Sequence, residues 1–249
     1  MPNQENTTDF GKENVTFSEK TRRVGEVFTS VAKRYDLMND CMSLGVHRLW
    51  KRVAIGRLLL SPGQKVLDLA GGSGDLTLQI APQVGERGEV YLTDINEAML
   101  SVGRDRVIDA NLADIVQFVL ANAEKLPFAD RYFDRVIISF GLRNVSHKDW
   151  ALSEMYRVLK PGGKLVVLEF SHPQAWLSPG YNFYSTHIIP KMGGLILNDE
   201  DSYHYLVESI RRHPDQETLL SMFKAAGFEK TQYKNYTAGI VAIHEGYRI

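Results

Sequence analysis

The residues best suited to chemistry gather in one stretch, "VLDLAGGSGDLT" over residues 66–77, and in Asp94 after the next apolar run. Glycines at 71, 72 and 74 let the backbone turn sharply and approach a ligand closely. An acidic side chain about twenty positions beyond such a loop can accept hydrogen bonds from both hydroxyls of a ribose. The pattern Gly72-Ser73-Gly74-Asp75-Leu76-Thr77 lacks the third glycine that lets a helix pack closely below a pyrophosphate. Asp68 and Asp75 beside the loop would repel a diphosphate but suit an ammonium group. A ligand joining adenosine to an amino-acid tail therefore fits better than a dinucleotide.

Further candidates follow two later apolar runs. "ANAEKLPF" puts Asn122, Ala123 and Glu124 where an adenine edge could be framed. "SFGLRN" brings Ser139, Arg143 and Asn144 to the same side, with Arg143 either a cation in front of the reacting group, Asn144 its orienting partner, or a salt bridge that holds the loop. Asp68, Asn122 and Asn144 each also read as plain turn residues. Their recurrence at the ends of four successive strands favours a binding site. Seven histidines are present, but none pairs at a spacing typical of a metal site, so no metal is expected.

The elements that must position these groups are legible from periodicity. Val24, Val27, Phe28, Val31, Ala32 and Tyr35 recur at helical spacing, and a second helix from His47 to Leu60 carries Arg48, Lys51, Arg52 and Arg57 on what reads as a solvated basic face. Short apolar runs, "KVLDLA", "EVYLTDI", "IVQFVLA", "DRVIISF" and "KLVVLEF", then alternate with helical stretches. That rhythm predicts an α/β fold: a doubly wound, mostly parallel Rossmann-like sheet, with a final antiparallel strand and an N-terminal helical cap. Residues 1–17 read as a flexible polar tail, and 18–249 as one domain. Within it, 18–60 form the cap and 171–212 a substrate-side insertion over the carboxyl edge of the sheet.

The glycine loop, Asp94, "NAEKLPF" and "VLKPGG" resemble class I S-adenosylmethionine-dependent methyltransferases. A closer resemblance runs along nearly the whole chain, through "YDLMNDCMSLGVHRLWKR", "DINEAML", "ISFGLRNV", "MYRVLKPGGKLVVLEFS", "IRRHPDQETL" and "TAGIVAIHEGY", to the ubiquinone/menaquinone biosynthesis C-methyltransferases. That resemblance implies S-adenosylmethionine as methyl donor and carbon methylation of a polyprenylated benzoquinol or naphthoquinol ring. It places Ser73, Asp94, Asn122 with Ala123, and Ser139 on the donor, alongside Gly72 and Gly74 of the loop. Ala70 stands where many class I enzymes have a first glycine, and Ser73 where relatives often carry threonine.

Bulk properties bound the alternatives. A formal net charge of -1 argues against a nucleic-acid partner. The lone Cys41 allows no internal disulfide, which fits a cytoplasmic setting, and no apolar run approaches the ~20 residues of a membrane helix. Membrane contact is thus expected to be peripheral, and a homodimer or a quinone-synthesis complex is compatible with the chain. A nicotinamide (NAD) dehydrogenase on the same architecture and a non-catalytic assembly subunit that binds S-adenosylmethionine are the rival readings.

Overall fold

The computed structural model describes residues 7–10, 13–31, 39–40, 43, 45–177, 179–180, 184 and 200–249. Two short strands, β1 (Thr7–Phe10) and β2 (Glu13–Thr16), pair antiparallel in register Thr7↔Thr16. The expected polar tail thus holds a hairpin over much of its length. Helix α1 (Phe17–Val31) starts directly after it, where the Thr16 hydroxyl accepts the Glu19 N–H at 3.3 Å, a side-chain cap on a free helical donor. Ala32 and Tyr35 lie outside the described residues. Helix α2 (Val46–Leu58) matches the second expected helix.

The Rossmann-like core follows as β3 (Lys65–Leu69), α3 (Thr77–Val84), β4 (Glu89–Asp94), α4 (Glu97–Asp109), β5 (Val116–Leu120), β6 (Phe133–Ser139), α5 (Lys148–Val158) and β7 (Leu159–Phe170). Then come α6 (Glu200–Arg212), α7 (Gln216–Ala225), β8 (Glu229–Tyr236) and β9 (Val241–Tyr247). The seven main strands run in the order β5-β4-β3-β6-β7-β9-β8. Pairing is parallel from β5 through β7, and β9 inserts antiparallel between β7 and β8.

Alternation along the strands sorts the core onto two faces. Val66, Val90, Leu92, Ile137, Val166 and Leu168 pack with Ile80 and Val84 of α3, Leu100 and Val107 of α4, and Trp50, Ala54 and Leu58 of α2. Leu67, Leu69, Val136, Ile138, Leu165 and Val167 face Leu152 and Met155 of α5 and Leu219 and Phe223 of α7. Successive strand residues point to opposite faces, so runs apolar at nearly every position are buried on both. The strand order reverses between β3 and β6, and a crevice opens there at their carboxyl ends.

The basic face read on α2 is solvated only in part: Arg48 and Arg52 are exposed, whereas Lys51 is buried. Trp50 is buried edge-on against Phe170, and its indole N–H donates to Thr237 Oγ1 at 2.9 Å. Lys51 is buried and pairs with Asp75 at 2.8 Å, while Arg48 and Arg57 meet Asp40 and Glu245. The helix is docked onto the core, and most of its cations serve as its polar anchors.

The close loop–helix approach that the glycine pattern seemed to lack comes from another element. A Cβ on Gly103, in the middle of α4, would lie 2.6 Å from the Gly72 carbonyl oxygen and 2.8 Å from Leu92 Cδ2. Arg106, one turn on, donates to the Ser73 carbonyl at 2.9 Å. We expect Gly103→Ala to destabilise the protein by about 1–3 kcal/mol through overpacking against rigid backbone. Urea unfolding of the ligand-free protein measures this, and an unchanged midpoint would show that the loop has room to move.

Candidate active site

The crevice is lined from the ends of β3 (Asp68 to Ser73, with Asp75 and Leu76), β4 (Asp94 to Asn96), β5 (Ala121 to Glu124) and β6 (Ser139 to Gly141, then Asn144 to Ser146). Val24, Gly25 and Phe28 of α1 and Lys51 of α2 complete the wall. Asn96 explains why α1 sits there. It caps α4 by accepting the Met99 N–H at 3.0 Å, and its amide donates to the Gly25 carbonyl at 2.8 Å and Thr29 Oγ1 at 2.9 Å.

The loop is built on left-handed backbone at Ala70 (φ 53°), Gly72 (φ 53°) and Gly74 (φ 76°). At Ala70 an alanine therefore occupies a conformation that glycine adopts freely. The Gly72 N–H donates to Asp94 Oδ2 at 3.0 Å, and the Asn96 N–H to Asp94 Oδ1 at 2.8 Å. Burial raises the Asp94 carboxyl to about 6 in spite of these bonds.

Asp68 is fully buried one strand away. Its Oδ2 accepts the Thr77 hydroxyl at 2.7 Å, and its Oδ1 has no partner. Burial pushes it up to about 7, against the opposing pull of Thr77 and the Lys51 charge. Ser139 Oγ, at the end of β6, is likewise buried without a partner. Buried polar atoms are normally satisfied, so a ligand carrying both positive charge and hydrogen-bonding groups would complete this site.

The remaining expected residues divide. Asn122 and Ala123 line the crevice; the Asn122 side-chain oxygen accepts the Glu124 N–H at 2.9 Å, so it is a turn residue and a wall residue at once. Glu124 also lines it, but its carboxylate is engaged by the Ser146 and His147 N–H groups at 3.0 and 2.9 Å, tying the loop after β5 to the loop after β6. Asn144 lines the wall, with its Oδ1 accepting the Tyr205 hydroxyl of α6 at 3.0 Å.

At Arg143 the structure shows the salt bridge that holds the loop. The residue does not line the crevice but turns inward, where its guanidinium pairs with buried Glu169 at 3.0 Å and donates to the Phe140 carbonyl. Its backbone N–H meets the second Glu169 oxygen at 3.1 Å. The end of β7 thus holds the 3-10 turn Leu142–Asn144, and a fully buried cation finds its cheapest partner in a carboxylate. His47, near the start of α2, is buried with its Nδ1 2.8 Å from the Ser43 hydroxyl, and burial and the Lys51 charge lower its pKa. Tyr181, Phe183 and His187 of the expected insertion, which by their types could line a substrate pocket, lie outside the described residues, as does the side chain of His204. Among the described residues no cluster could hold a metal. Sequence reading missed Asn96, Gly103 and Lys51; the only local signal was "DINEAML", in which Asn96 precedes a helical run as an N-cap should.

The family model for the ubiE/COQ5 methyltransferase family matches residues 16–248. The chain belongs to this family. It is 56% identical over 248 residues to the ubiquinone/menaquinone biosynthesis C-methyltransferase UbiE of Bordetella parapertussis, covering all of this chain and 95% of that protein. With the UbiE of Vibrio cholerae serotype O1 it shares 59% over 247 residues, covering 99% and 95%. Among solved structures, the [4+2]-cyclase SpnF matches with a TM-score of 0.68 at 17% identity over 92% of this chain and 96% of that one. An Aquifex aeolicus S-adenosylmethionine-dependent methyltransferase matches at 0.57 and 17% identity, over 80% and 89%. Such likenesses show the fold alone; one fold hosts both a cyclase and methyltransferases. The family settles what the fold leaves open. This chain is an S-adenosylmethionine-dependent C-methyltransferase, and the dehydrogenase reading falls.

Two predictions follow from the buried carboxylates. Asp68 binds its proton more tightly folded than unfolded, so stability falls as pH rises from about 4 to about 7 and stays low above. Asp68→Asn should raise the melting temperature of the ligand-free protein at pH 8 and yet weaken S-adenosylmethionine binding by at least about tenfold. A stabilised variant with native affinity would remove Asp68 from the site. A carboxylate accepts ribose hydroxyls best when ionised, so with Asp94 as the expected ribose acceptor the affinity for S-adenosylhomocysteine should drop as pH falls through about 6. Calorimetry across that range on Asp94→Asn should find weak binding with a flatter pH profile.

Proposed function

We propose that this enzyme methylates a ring carbon of a polyprenylated benzoquinol or naphthoquinol. In that reading Gly72, Ser73 and Gly74 cradle the donor, Asp94 takes its ribose, Asn122 and Ala123 flank its adenine, and Ser139 lies under its sulfonium. The observation that carries the reading is the crevice itself. Its orphaned Asp68 oxygen, Asp94 and Ser139 stand at the ends of three neighbouring strands, in a chain 56–59% identical to proteins named for this reaction. When bound, S-adenosylmethionine supplies an electrophilic methyl group for in-line displacement, so the protein's share is positioning and electrostatics.

Carbon methylation needs an electron-rich ring, which a quinol provides as its hydroxyl loses a proton. Tyr205 donates to the Asn144 oxygen at the crevice wall, which leaves the Asn144 amide N–H₂ as the group that would donate to the emerging phenolate oxygen. Arg143 acts through this turn as a positioning residue. The apolar side chains of α1 at Val24 and Phe28 give a greasy border by which a prenylated ring would enter, and an insoluble tail implies peripheral contact with a membrane. Among the described residues no helix is long and apolar enough to span one.

Incubation with labelled S-adenosylmethionine and demethylated benzoquinol or naphthoquinol, with and without reductant, tests the assignment. A ring-methylated product only from the reduced forms is expected, and equal rates on the oxidised quinone would defeat the mechanism. Arg143→Ala should destabilise the fold by about 3–5 kcal/mol, because Glu169 is left buried without its counter-charge. Arg143→Met with Glu169→Leu should recover stability and much of the rate. A stable but inactive double variant would instead return Arg143 to direct contact with the ring.

A further inference from the structure

Four carboxylates line the crevice, namely Asp68, Asp75, Asp94 and Glu124, against a single cation among the described lining residues, Lys51. Lysine is rarely buried, and this one, 5% exposed, comes from a helix outside the alternating core. Its ammonium lies 2.8 Å from Asp75 Oδ2. Burial alone would raise the Asp75 carboxyl, but the charge and hydrogen bond of Lys51, helped by Arg106, hold it below its ordinary range. Asp75 is thereby neutralised and cannot serve the donor's ammonium, as the sequence suggested. That task falls to Asp68, whose Oδ1 is free.

The methionyl tail also carries a carboxylate, which cannot sit among four acidic groups without a donor. The loop backbone offers little: the N–H groups of Gly71, Gly72 and Gly74 are engaged by the Thr93 carbonyl, Asp94 and the Gly71 carbonyl. We propose that Lys51 is the carboxylate-recognition residue of the cofactor site, using one ammonium proton to hold Asp75 and the others to take the tail carboxylate. Lys51 and Asp68 then form a charge-opposed pair that reads the zwitterion, a cation for the carboxylate and an anion for the ammonium. The helix that seals the core thereby reports the presence of a complete amino-acid tail. The same arrangement favours turnover. Donor and demethylated product present the same tail, but only the donor adds a sulfonium charge that the acidic crevice attracts.

The inference rests on the crevice being the cofactor site, and the test separates the two. The probes are S-adenosylhomocysteine, which has the tail, and 5′-methylthioadenosine, which shares the thioether-linked adenosine but lacks it. Calorimetry on the native chain should find both binding in competition; failure of both would refute the site, not Lys51 alone. In Lys51→Met, S-adenosylhomocysteine should lose at least about tenfold in affinity while 5′-methylthioadenosine changes by less than about twofold. Equal losses would show that Lys51 merely holds the loop through Asp75, and no loss would exclude it from the site; either overturns the proposal. Should that variant fail to fold, Lys51→Gln with Asp75→Asn leaves no orphaned charge, and the same ratio of affinities decides.

Discussion

The constraint on which the rest depends is the burial of two carboxylates, Asp68 and Asp94, at the carboxyl ends of adjacent parallel strands. A buried anion without full compensation is unstable, and both are pushed towards their neutral forms. The surroundings answer with what the backbone can supply: a Gly72 N–H and an Asn96 N–H for Asp94, a Thr77 hydroxyl for Asp68. These bonds shape the glycine loop, and what they leave unsatisfied is what a cationic, ribose-bearing ligand would satisfy.

That local economy explains features lying outside the loop. Helix α4 approaches closely because Gly103 has no side chain, and Arg106 then reaches the Ser73 carbonyl. Asn96 joins the Asp94 end of the crevice to α1, and Lys51 joins the Asp75 end to α2. The N-terminal helices thus supply part of the crevice wall. On the opposite side the Arg143–Glu169 pair fixes the turn bearing Asn144, and Tyr205 of the insertion closes onto it. A buried pair of this kind adds little net stability but leaves few alternative positions for the turn.

The sequence by itself determined the doubly wound sheet, the glycine loop and the strand ends that carry Asp94, Asn122 and Ser139. These are legible because strand and helix periods, glycine spacing and turn residues are local properties of the chain. The family motifs likewise fixed the reaction class. What only the tertiary structure decided are partnerships between distant residues. Lys51 looked like one cation of a solvated face until α2 docked beside Asp75, and Arg143 stood open between substrate and a loop-holding ion pair until β7 brought Glu169 beneath it. Gly103 carries no motif, and its meaning lies in a 2.6 Å approach to another element. Charge type is written in the chain, but whether a charge faces ligand, solvent or counter-ion depends on burial and on which side chain arrives from elsewhere, and no local spacing encodes that.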